Sequence, residues 1–174
     1  MVTSGDGSQA WVLLVYRVPR EPSSPRIAIW RRLKRLGVAS LGDGLVALPA
    51  DARTVEALEW VANDVLAAGG TASVWSAEPF DRRTEDGLVA GLRAARAAEY
   101  AELAERAAAL SGATPDLSDG ERRRRLTALR AEARKVHRRD FFPPPERDAL
   151  SELLRDVAHE VPDGSARAGE AVGS

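Results

Sequence analysis

Arginine is the residue type in this chain with the most evident chemistry, and it is concentrated in two rows. In the first, Arg26, Arg31, Arg32, Lys34 and Arg35 follow one another within a stretch patterned as a helix. In the second, Arg123, Arg124, Arg130, Arg134, Lys135, Arg138 and Arg139 lie opposite an apolar stripe of Leu126, Leu129, Ala133 and Val136. Guanidinium and ammonium groups ranged along a helix over about 30 Å can follow a phosphate backbone, each contact being salt-sensitive. The candidate nucleic-acid-binding residues are therefore Arg26, Arg31, Arg32, Lys34, Arg35, Arg123, Arg124, Arg130, Arg134 and Arg138. The competing reading is a solvated surface, since arginine is also a good helix former.

Arg17 and Arg20 stand just before the first row. Where a strand end meets a helix start, Arg17, Arg20 and Arg26 would converge on one anion. Bidentate guanidinium contacts suit a small oxyanion or a phosphate. Pairing with acidic neighbours is the equal alternative.

Catalytic constellations are poor, and the chain is expected not to be an enzyme. It has no cysteine, and His137 and His159 fall on separate segments, so neither a metal site nor a cofactor is expected. Glycine-rich phosphate loops, zinc-protease motifs and nucleophile elbows are missing. A metal-dependent nuclease on a ferredoxin-like fold would need an acid at the end of the first strand, where this chain has Tyr16-Arg17-Val18. Asp43 reads as a turn residue.

Composition is that of a globular protein, 44% hydrophobic and 29% charged, with net charge −1. The charge is unevenly spread. Residues 1–79 carry eight basic and eight acidic side chains, residues 113–139 nine against four, and residues 140–174 three against eight. Any attraction to polyanions is therefore local. No apolar run is long enough for a membrane span and the first residues lack signal-peptide character, so a soluble cytoplasmic protein is expected.

The elements that would position these side chains are legible. Residues 1–9 are Gly/Ser-rich and expected to be loose. The apolar run 10–18 reads as a central strand. Ser24 is the expected N-cap of the first helix, with Pro25 at its first position and Gly37 at its end. Strands at 38–41 and 45–48 flank Gly42-Asp43-Gly44 as a hairpin. Asp51 caps a second helix to Ala68, ended by Gly69-Gly70, and 71–77 is a fourth strand. A helix over 84–110 is expected to bury Leu88, Leu92, Ala95, Tyr100, Leu103, Ala107 and Leu110. Ser111-Gly112 and Pro115 break it, Ser118 opens a helix to about Arg139, and a last helix spans 146–161. The fold class is α+β: a ferredoxin-like βαββαβ domain over 10–79, a helical extension of three helices over 80–161, and a loose tail over 162–174. Trp11, Trp30, Trp60 and Trp75, one on each of four elements, are expected to be core or packing residues.

The run VYRVPREPSSPRIAIWRRLKRLGVASLGDGLVALP, with EYAEL at Glu99–Leu103 and RRDFFPPPER at Arg138–Arg147, resembles the N-terminal domain of the chromate-resistance regulators called ChrB. The likeness covers about residues 10–160. It implies a ferredoxin-like domain with attached helices and a regulatory role without catalysis. It departs from the family pattern in RRDFFPPP, where a glycine-containing turn is expected after the phenylalanines. Full-length members also carry a second domain of comparable size, and a chain lacking it would not sense chromate if sensing resides there. The leading expectation is a DNA-binding transcriptional regulator, or its N-terminal module. DNA, a second copy in a homodimer, or a partner regulator are the expected partners. A protein-interaction module without DNA binding and a small-oxyanion binder are the alternatives.

Overall fold

The computed structural model describes residues 9–110 and 117–160. The expected loose tails lie outside them except for Gln9, as does the break at Ser111-Gly112 and Pro115. Four strands and five helices follow in the order β1 (Trp11–Arg17), α1 (Ser23–Leu36), β2 (Ala39–Gly42), β3 (Leu45–Pro49), α2 (Ala52–Ala67), β4 (Thr71–Ala77), α3 (Arg82–Ala108), α4 (Asp119–His137) and α5 (Pro145–Glu160). Two compact units divide inside α3, one ending at Arg93 and the other beginning at Ala94. No helix among the described residues is long and apolar enough to cross a membrane.

In the first unit the strands form one antiparallel sheet in the order β2-β3-β1-β4. Strand β1 has the most continuous apolar run and takes an interior place, with Leu14 opposite Val46 on one side and Val74 on the other. Alternation sends Val12 and Leu14 to one face with Val46 and Leu48, and all four are buried. Helix α2 packs on β1 and β4 through buried Leu58, Val61 and Val65, and α1 packs beside α2. On the opposite face Val15 and Trp75 are exposed.

The ends of α2 follow its sequence signals. Thr54 N–H donates to Asp51 Oδ1 at 2.7 Å and Asp51 N–H donates to Thr54 Oγ1 at 2.9 Å, a reciprocal capping box. The Thr54 hydroxyl also donates to Pro49 O at 2.6 Å, tying the helix to the end of β3.

Helix α1 starts two residues earlier than expected, at Ser23. Its N-cap is Pro22, in extended conformation with no side-chain cap bond, so Ser24 is not the cap. Pro25 then sits in the first turn, where backbone N–H groups have no helical partner and its missing donor costs nothing.

The tryptophans divide differently from expectation. Trp11 is buried, but Trp30, Trp60 and Trp75 are more than half exposed. The apolar positions of α1 and α2 that satisfy the core are Ile29 and Leu33, and Leu58, Val61 and Val65, which leaves the indoles outside those stripes.

The second unit is built around Tyr100, Leu103, Leu110, Leu126, Leu129, Val136, Leu150, Leu154 and Val157. Ser118 Oγ accepts from Glu121 N–H at 3.3 Å at the start of α4. Along α3 the buried positions include Leu92, Arg96, Tyr100, Leu103 and Ala107, with Leu110 buried just past its end, whereas Leu88 is half-buried and Ala95 exposed. The spacing of four from Leu92 to Arg96 to Tyr100 keeps one face, so an arginine occupies the place assigned to an alanine.

Two glycines test how tightly the first unit is drawn together. Gly44 has φ 74°, and a Cβ there would stand 2.3 Å from Tyr16 O. Gly69 has φ 75° with open space around it. Gly69→Ala is expected to cost about 1 kcal/mol, the left-handed backbone penalty alone. Gly44→Ala is expected to cost at least about 2 kcal/mol more, because Tyr16 O is backbone and must move. Urea unfolding of both variants checks the difference.

Candidate functional site

The first unit presents the α1 row. Arg26, Arg31, Lys34 and Arg35 are exposed, and none pairs with an acid among the described residues. The Lys34 ammonium lies 4.5 Å from the centroid of the Trp30 ring, so a cation–π contact orients it along the helix surface. Arg32 differs: its guanidinium pairs with Asp64 of α2 and ties the two helices together. Arg17 and Arg20 are exposed. No interaction among the described residues joins Arg17, Arg20 and Arg26 into one anion site.

The α4 row in the second unit is largely engaged with its own surroundings. Arg123 Nε donates to Asp119 O at 3.3 Å, and Arg125 pairs with Glu121 at 3.2 Å. Arg130 reaches Leu154 O at 3.4 Å. Glu132, on the same helix, accepts two bonds from Arg106 of α3 at 2.6 and 3.0 Å. This fork holds the Glu132 carboxyl below its ordinary pKa and raises that of Arg106. Arg139 pairs with Glu99, and Arg138 also has a partner. Arg124 and Arg134 remain exposed without an acidic partner among the described residues.

A polar cluster that the sequence reading missed lies in the second unit. Arg96, only 6% exposed, pairs with Glu99 at 2.9 Å, and Glu99 in turn holds Arg139. Tyr100, fully buried, donates its hydroxyl to Asp140 Oδ2 at 2.8 Å, with Arg147 at 3.7 Å from the same oxygen. Edge contact with His137, 5.8 Å between ring centroids, closes one side of Tyr100. The segments EYAEL and RRDFFPPPER therefore meet in one network, contributing Glu99 and Tyr100 from one and Arg139, Asp140 and Arg147 from the other. A signal was present in the sequence: four-residue spacing puts Arg96 in line with Leu92 and Tyr100, and a buried arginine requires carboxylates.

Burial first, and then the bond to Asp140, raise the Tyr100 pKa well above its ordinary value. Burial lowers that of Arg96, with Glu99 opposing the shift. A cleft of about 210 Å³ beside the network is lined by Glu99, Glu102, Leu103, Arg106, Glu132, Lys135, Val136 and Arg139. Its three carboxylates face three cations, so it favours neither ion. Among the described residues no three His, Cys, Asp or Glu side chains converge as metal ligands.

The Tyr100 shift has a sign that can be measured. A phenol whose folded pKa is raised adds stability that is present below its unfolded pKa, near 10, and is lost as pH climbs toward the folded value. Stability of the protein is therefore expected to fall above about pH 10, and Tyr100→Phe to flatten that decline. At neutral pH the same variant is expected to cost about 1–3 kcal/mol, since Asp140 loses its hydrogen bond from Tyr100 in a buried setting. Urea titrations at several pH values read both effects.

Residues 26–112 match the family described as Protein ChrB, N-terminal. A Protein ChrB of Cupriavidus metallidurans is 34% identical over 149 residues, 83% of this chain and 44% of that protein. The chain thus spans less than half the length of that relative. No solved structure matches the chain. With half of its residues under the family match and a relative 34% identical over 83% of its length, the chain belongs to the ChrB N-terminal family.

Proposed function

We propose that this protein is a non-enzymatic regulator associated with chromate resistance that contacts DNA phosphates through the exposed face of α1. The family supports the chromate association, and the strand order β2-β3-β1-β4 supports a ferredoxin-like βαββαβ arrangement for the first unit. The observation that carries the DNA reading is the contrast between the two arginine rows. On α1, Arg26, Arg31, Lys34 and Arg35 stand exposed without acidic partners among the described residues. Around α4, Arg123 and Arg130 bond to backbone carbonyls, Arg125 holds Glu121, and Arg139 just past the helix holds Glu99. A cation already holding a carboxylate releases little counterion when it meets a phosphate, whereas an unpaired one gives its full contribution.

Cytoplasmic location belongs to this reading, since a regulator must reach the chromosome. So does the absence of catalysis: Arg17 stands at the end of β1, where a metal-dependent nuclease of such a fold would place an acid.

Fluorescence anisotropy with duplex DNA at about 50 mM salt is expected to give binding that weakens steeply as salt rises. The variant Arg31→Ala/Lys34→Ala/Arg35→Ala is expected to shrink the slope of log affinity against log salt by about 2–3, close to 0.9 per lost phosphate contact. Arg124→Ala/Arg134→Ala on α4 is expected to leave the slope near its original value. Absence of binding at low salt removes the reading. A slope that responds only to the α4 variant moves the contact to the other row.

A further inference from the structure

The two edges of the sheet are unlike. At one edge β2 is four residues long, is interrupted by a bulge between Ser40 and Gly42, and runs into Asp43. These are the usual protections against pairing with another chain. At the other edge β4 runs seven residues, Thr71–Ala77, and pairs with β1 in unbroken register along its whole length. It contains no charge, no proline and no bulge, and no strand among the described residues pairs with its outer side. A long, regular, uncharged edge is a template for another strand.

Its sequence is self-complementary. In an antiparallel pairing of two β4 strands about Val74, Trp75 of each copy faces Ser73 of the other, Ala72 faces Ser76, and Thr71 faces Ala77. The largest side chain thus meets a small one at both symmetry-related places. No like charges oppose each other, the condition that a two-fold contact imposes on every residue in it. Trp75 is 58% exposed, and its indole N–H donates to Ser73 Oγ at 2.8 Å, so the ring leans along the strand over position 73. Two such rings would lie alongside each other on the sheet face turned away from α2, at its exposed Trp75 end.

Helix α2 adds a second layer to the same edge. Asp64 faces α1, because it pairs with Arg32. Leu66, two residues on and about 200° round the helix, lies on the flank turned away from α1 and is 52% exposed. Since α2 packs on β1 and β4, that flank overhangs the β4 edge. Full burial of a tryptophan removes about 150–250 Å², so two Trp75 rings and two Leu66 side chains give the pairing an apolar component toward the roughly 1,200 Å² of a stable interface.

We propose that β4 is the interface through which two copies of this chain join into one continuous eight-stranded sheet. The proposal does not rest on DNA binding. Size-exclusion chromatography with light scattering, from micromolar to millimolar protein, is expected to show a species of twice the chain mass. Trp75→Lys and Ser73→Lys, both at exposed positions, are each expected to give monomers with an unchanged circular dichroism spectrum. The absence of cysteine permits a second test. Directly opposed residues in an antiparallel pair are about 4.5–5.5 Å apart at Cα, within disulfide reach. Val74→Cys is therefore expected to cross-link into covalent dimers on mild oxidation, while Ser40→Cys on the β2 edge stays largely monomeric. Three results would each overturn the proposal: a monomer at all concentrations, a dimer that both lysine variants leave intact, or Val74→Cys cross-linking no faster than Ser40→Cys.

Discussion

Strand β1 has to be covered on both edges and on the face that buries Val12 and Leu14, and the first unit is arranged around that requirement. Its run WVLLVYR offers few polar side chains to water, so an edge position would expose both apolar surface and unpaired backbone groups. Strands β3 and β4 supply the two ladders, and α2 covers the sheet across β1 and β4. The β2–β3 turn is drawn onto the end of β1, where Tyr16 N–H donates to Gly44 O at 2.7 Å. With α2 fixed on the sheet, α1 packs beside it through buried Ile29 and Leu33, the Arg32–Asp64 pair bridges the two helices at the surface, and the remaining cations of α1 face outward. The basic surface is in this sense a consequence of how β1 is buried.

The second unit answers a different constraint. Arg96 occupies a core position, and removing a guanidinium from water costs several kcal/mol unless its charge and donors are matched. Glu99, one turn along α3, provides the charge and also holds Arg139, while Tyr100 and Arg147 surround Asp140. Apolar packing of α3, α4 and α5 would tolerate several relative arrangements. The Glu99–Arg139 and Tyr100–Asp140 links between segments tolerate far fewer, because a slip of one residue would leave a buried polar group unmatched.

Much of the first unit was legible because its signals are local. Asp51 and Thr54 form a capping box, Gly37 ends α1 in the left-handed region at φ 73°, and the glycines around Asp43 make the hairpin turn. The failures came where partners are distant in sequence or where two signals compete. Pro22 displaced Ser24 as the start of α1, since both residues precede a helix-compatible stretch and only the folded chain chooses between them. Trp30, Trp60 and Trp75 looked like core because they are large and apolar, but helical and strand periodicity put them outside the buried stripes. Arg96 with Glu99 is visible as a three-residue pair, whereas its link to Arg139 spans 40 residues from Glu99 and has no periodic signature.

The two arginine rows look equivalent as composition and differ in their neighbours. On α4, Arg125 is held by Glu121 and Arg123 and Arg130 are tied to backbone carbonyls, while on α1 only Arg32 is paired with an acid among the described residues. That distinction carries the assignment of the DNA-contacting face to α1. The most direct test is an NMR titration of the isotopically labelled full chain with duplex DNA at low salt. Amide shift changes are expected to concentrate on residues 26–35, with residues 119–137 little affected. Changes concentrated on α4, or none on α1 at saturating DNA, would contradict that assignment.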